Sequence, residues 1–69
     1  MNKKVTNATA GDVQIVKMLA EDVSRADIAA IEKTKVVALS KRIDRIRAKN
    51  DCKSVAALVY LFAKNGLIT

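Results

Sequence analysis

The chain has 69 residues, a net charge of +6, one cysteine, and neither histidine nor proline. This length allows one small domain whose core is marginal unless a partner buries more apolar surface. The single cysteine excludes an internal disulfide, and the lack of histidine, of a phosphate-loop glycine pattern and of metal-ligand spacing excludes the common enzyme classes.

Aliphatic residues and alanine dominate, Tyr60 and Phe62 are the only aromatic residues, and glycine occurs only at 11 and 66. That composition favours helices over strands and is too apolar for a disordered chain, so an all-α fold is expected. Residues 1–8, MNKKVTNA, lack periodicity and are expected to form a flexible tail, with one domain over 9–69. Met1, with no tag-like extension, favours a complete small protein. Thr9 reads as an N-cap, and Asp12 three residues on completes an approximate capping box. Val13, Val16, Leu19 and Ala20, with Ile15 beside them, give an amphipathic helix over about 10–22. Glu21 and Asp22 oppose the negative end of its dipole and help to end it. Ser24, with Asp27 three residues later, opens a second helix over about 24–32, whose apolar face is Ile28, Ala29 and Ile31. The polar EKTK follows as a turn, and Thr34 is the best N-cap for the next helix.

The third helix is expected over about 35–49. Val36, Leu39, Ile43 and Ile46 form one narrow apolar stripe, and Lys41, Asp44, Arg45, Arg47 and Ala48 take the opposite side. NDCKS then breaks the pattern, and Ser54 caps a fourth helix over about 54–64. Val55, Leu58 and Phe62 make one face of it, while Ala56, Val59, Tyr60 and Ala63 spread over the others. So short a helix cannot be buried on all sides in a domain of this size. Its surplus apolar surface either forms a partner interface or is covered by the tail or the preceding loop. Gly66 is a good C-cap, and the GLI segment returns an apolar end to the core.

The charge is localised. Residues 33–53 carry Lys33, Lys35, Lys41, Arg42, Arg45, Arg47, Lys49 and Lys53 against Asp44 and Asp51, which accounts for the whole +6. Elsewhere the charges cancel. A patch of this kind is either a solvated helix face or the footprint of a polyanion partner, and its imbalance and its arginines favour the polyanion. Cys52 reads as a small half-buried packing residue, with a reactive or intermolecular thiol as the alternative. No signal peptide follows MNKK, and the longest apolar run, Val55 to Ala63, is too short to span a bilayer. The basic helix needs its apolar stripe for the core, which argues against a membrane-surface role. A cytoplasmic location is expected.

The order scaffold helix, short helix, tight turn, basic helix, closing helix contains a helix-turn-helix unit. Here the chain resembles the C-terminal DNA-binding domain of the LuxR/NarL/FixJ (GerE-type) transcription regulators over about residues 9–68. The residues that carry the resemblance are Thr9, Asp12, IVKMLA at 15–20, Ser24, DIA at 27–29, Leu39, Ile43, Ile46, Lys49 and the closing ALVYLFAKNGLI at 57–68. The closing segment, with its ungapped spacing to the rest, is the most specific part. The sequence departs from the family pattern with Asp22 for Gly, Glu32 for an apolar residue, Thr34–Lys35 for an apolar–Ser pair, ALS at 38–40 for Thr-Val-Lys, Arg42 for His and Asn50 for Leu. The scaffold is kept while the turn and the reading surface diverge.

The resemblance implies a four-helix LuxR-type domain that binds double-stranded DNA as a dimer. Positions equivalent to Ser40, Lys41 and Asp44 face base edges in relatives, which makes Lys41 the best candidate for a guanine. Arg42, Arg45 and Arg47, with Lys33 and Lys35 at the helix start, are the phosphate candidates. Ala56, Val59, Tyr60 and Ala63 are the dimer-interface candidates, for a homodimer or a heterodimer with a related regulator. Neither a cofactor, a membrane nor a small-molecule ligand is expected. The competing expectation is a helix-turn-helix scaffold used as a protein-interaction module, a partner or antagonist of a full-length regulator. The divergent reading surface and the lack of a sensory or receiver domain favour it. Two roles also stand for Asp44: accepting a hydrogen bond from cytosine N4, or pairing at i, i+3 with Arg47 or Lys41 to orient them.

Overall fold

Thr9, Ser24 and Ser54 each end an extended segment with a side-chain oxygen placed to satisfy a free helix N–H, and a helix starts after each. In the computed structural model, which describes residues 8–69, these are α1 (Ala10–Ala20), α2 (Arg25–Ile31) and α4 (Val55–Lys64), with α3 (Val36–Lys49) between the last two. The described residues form four helices and no strand. The expected tail 1–8 lies outside the described residues except for Ala8, which packs against the core. The Thr9–Asp12 box is fully formed: Asp12 N–H donates to Thr9 Oγ1 at 3.0 Å, and Thr9 N–H donates to Asp12 Oδ2 at 3.3 Å.

All four helices end the same way. The residue after the C-cap is left-handed: Asp22 (φ 61°), Lys33 (φ 55°), Asp51 (φ 54°) and Gly66 (φ 73°). The residue after that sends its N–H back to a carbonyl in the last turn: Val23 to Met18, Thr34 to Ala29, Cys52 to Arg47 and Leu67 to Phe62, at 2.9–3.0 Å. This is the Schellman termination. It corrects two expectations. α1 stops at Ala20 because Asp22 has already left helical space. Thr34 does not cap α3, because its backbone is committed to closing α2. Lys35 takes the cap position in extended conformation, with no side-chain hydrogen bond.

The helices pair as α1 with α4 and α2 with α3, and α1 also touches α2. Ile15, Val16 and Met18 bring α1 into the core, so its buried face is turned toward Met18 and leaves Ala20 exposed. Ile28 and Ala29 come from α2, and Leu39, Ile43 and Ile46 from α3. Leu58 and Phe62 of α4, both fully buried, and Ile68 from the C-terminal segment close the core. Burial of Phe62 alone is worth about 1.5–3 kcal/mol. Leu61, not among the expected inward residues, is buried as well. Ile31 and Val36 do not join their stripes and stand 57% and 44% exposed. Both flank the α2–α3 turn, and the core residues of each helix lie farther from that turn.

Candidate nucleic-acid interface

The inward stripe of α3 fixes what its other faces present. Ser40 hangs on the flank toward the start of α2, where its Oγ accepts from Arg25 Nη1 at 3.0 Å. This bond ties α2 and α3 together at the end away from the turn between them. On the opposite flank, Lys49 Nζ donates to Asp12 Oδ2 at 2.8 Å. Arg42 lies 3.7 Å from Asp12 Oδ1 and 3.6 Å from Glu32. Asp12 is itself only 4% exposed, and burial raises its pKa. The hydrogen bond and charge of Lys49 and the two bonds to Thr9 outweigh that effect and hold the carboxyl below its usual range. It therefore stays ionised and clamps the start of α1 to the C-terminal half of α3.

The cations of the basic segment thus separate into two groups. Arg42 and Lys49 are held by Asp12. Arg47 is held by Asp44 Oδ1 at 2.9 Å and by the Lys53 carbonyl at 2.8 Å. Lys33, Lys35, Lys41 and Arg45 are exposed, as is Lys53 in the loop after α3, and among the described residues none of their side chains has an ion-pair or hydrogen-bond partner. Lys33 stands at the left-handed position of the turn, Lys35 at the cap of α3, and Lys41 and Arg45 on the outer face of α3. Of the three expected base-facing residues, Lys41 is exposed and has no side-chain partner among the described residues. Ser40 is half-buried and bonded to Arg25, while Asp44, 64% exposed, pairs with Arg47 rather than with Lys41.

Of the expected interface residues on α4, Ala56, Tyr60 and Ala63 are exposed, together with Ala57 and Lys64, and Tyr60 is 65% exposed under Lys64 Nζ at 5.7 Å from its ring centre. Val59 is half-buried against the core and presents only part of its side chain outward. Cys52 is half-buried as expected, its Sγ 3.4 Å from the Asn50 carbonyl. Asn50, 3% exposed, is satisfied by donating Nδ2 to Ile46 O.

Two features escaped sequence reasoning. The Asp12–Lys49 bond spans 37 positions and has no local signature. Val37 lies outside the apolar stripe of α3 and is 68% exposed on its outer side. Among the described residues, no cluster of three or more His, Cys, Asp or Glu is placed to hold a metal, and no helix is long and apolar enough to cross a membrane. Comparison of the chain with family models, with curated proteins and with solved structures finds no match.

Proposed function

We propose that the chain is a sequence-specific, double-stranded DNA-binding transcription regulator of the LuxR type. In this reading α3 enters the major groove and α4 pairs two copies. The observation that carries it is the division of labour among the cations. The fold ties Arg42, Lys49 and Arg47 to its own acceptors, and it leaves Lys33, Lys35, Lys41 and Arg45 exposed with no partner among the described residues. Four unpaired cations running from the turn along the outer face of one helix match a phosphate backbone and a groove better than a solvated face, which would balance its charges. Lys33, Lys35 and Arg45 bind phosphates and Lys41 reaches a guanine edge. Asp44 orients Arg47, and the Ala56–Tyr60–Ala63 face of α4 forms the two-fold contact.

Two copies that each neutralise three phosphates release about six counterions, so log K should fall against log salt with a slope near −5. Selection of bound duplexes from a random pool at two salt concentrations tests this together with the dimer, through convergence on a two-fold repeat. A slope shallower than about −2 removes this surface as the binding site. A second reading draws on the same exposed α4 face: a protein-interaction module that pairs with a full-length regulator. Absence of any mobility shift on nonspecific duplex at low salt would favour it over DNA binding.

A further inference from the structure

Val37 has no structural employment in the fold. It is 68% exposed, more than any other large apolar side chain among the described residues, and it shares the outer side of α3 with Lys41, Asp44, Arg45 and the small Ala38 and Ala48. A β-branched residue on an exposed helix surface costs helix propensity and returns nothing through packing. Ile31, Val36 and Leu67 are also exposed, but they lie at helix ends or in the C-terminal segment. Val37 differs in its direction. At about 100° per residue it falls roughly 40° from Lys41 and 20° from Asp44 around α3, so the three form one outward strip. With about 1.5 Å rise per residue, the strip is about 10 Å long, which is roughly three base-pair steps.

We infer that Val37 is a specificity-determining residue that packs its methyl groups against the C5-methyl group of a pyrimidine in the major groove. The inference rests on the proposed DNA-binding function. The chemistry follows from what the groove displays. The C5-methyl group is the apolar feature presented there, and an aliphatic side chain on a reading helix has no other base-edge group to recognise. Val37 lies one helical turn before Lys41, so the methyl-bearing pyrimidine stands next to or one step from the guanine that Lys41 contacts. Thymine and 5-methylcytosine both carry this methyl group, and the test separates them.

The probe is the duplex recovered by selection from the random pool, with each thymine replaced in turn by deoxyuridine, which lacks only the methyl group. Affinity is read by fluorescence anisotropy at fixed salt. The wild-type chain should lose about fourfold at one thymine per half-site, the factor carried by one buried methyl group. Val37→Ala, which removes the contact in both half-sites, should lose about that factor twice over, roughly sixteenfold on the intact duplex, and become indifferent to that deoxyuridine. At the responsive position, 5-methylcytosine should bind more tightly than cytosine if the methyl group alone is read, and equally if the rest of thymine is also required. Either result supports methyl contact and identifies its source. Wild-type indifference to every deoxyuridine, or an undiminished deoxyuridine effect in Val37→Ala, overturns the role of Val37 and leaves DNA binding standing. No binding to any duplex at low salt overturns both. Alanine is the stronger helix former, and Val37 contributes nothing to the core, so the variant keeps the fold.

Discussion

Lys33 offers a substitution in which folding and binding should move in opposite directions. Its backbone is left-handed, at φ 55°, because it occupies the turn that closes α2. For a residue with a Cβ, that conformation costs roughly 1–2 kcal/mol. Lys33→Gly removes the cost but adds the greater freedom of glycine in the unfolded chain, about 0.5–1 kcal/mol. The net effect is a stabilisation of about 0.5–1 kcal/mol, which for a domain of this size raises Tm by roughly 3–6 °C. The same change deletes one proposed phosphate contact per protomer, so the salt slope should fall from near −5 to near −3.5. Circular dichroism melts read the first quantity and anisotropy titrations at several salt concentrations the second. Lys33→Ala supplies the control: it keeps the strained backbone and removes the cation, so only the slope should change. An unchanged or lowered Tm in Lys33→Gly would refute the strain argument. A raised Tm with an unchanged slope would take Lys33 out of the interface.

Other outcomes follow from the same geometry. Gly66→Ala places a Cβ in open space at φ 73°, so the cost is purely conformational, about 1 kcal/mol by urea titration. Asp12→Ala removes a charge-assisted bond to Lys49 and half of a capping box, costing about 2 kcal/mol at neutral pH. Because the Asp12 pKa is depressed in the fold, its contribution is complete above the ordinary carboxyl value of 3.8 and is lost as pH falls through the lower folded value. The stability gap between wild type and Asp12→Ala should therefore narrow in strong acid, and a gap that does not narrow there would contradict the assignment. Lys41→Ala combined with Arg45→Ala should abolish duplex binding with a stability change under about 0.5 kcal/mol, because both are exposed and neither has a side-chain partner among the described residues. Asp44→Asn should leave the selected base sequence unchanged, since the carboxylate is engaged with Arg47; a changed preference at one position would make Asp44 a reader.

What could be read from the sequence was local. Thr9, Ser24 and Ser54 announced their helices because a cap oxygen and the N–H that donates to it lie three residues apart. The Leu39–Ile43–Ile46 stripe announced itself by its period. Thr34 misled for the same reason. It has the chemistry of a cap, but its N–H is taken by Ala29 O of the preceding helix, a contest between two neighbouring elements that composition does not decide. Ile31 and Val36 have core chemistry at positions that the turn carries away from the core. Arg42 carried a charge suited to phosphate, and nothing near it in the chain indicated that Asp12, thirty positions earlier, would stand beside it. The exposed cations were legible as a group, whereas their division into tethered and untethered members required the tertiary fold.

The burial of Asp12 also bears on selectivity among competing sites. A cation tied to a carboxylate of its own chain cannot contribute to holding arbitrary duplex, and Asp12 withdraws Lys49 and Arg42 together. Any genome offers a vast excess of indifferent sites, and occupancy of the right one depends on the ratio of the two affinities. On the proposed function, an acid at the start of the scaffold helix lowers the denominator of that ratio without touching a base. Variants at Asp12 would then be expected to scatter over bulk DNA even where their fold survives.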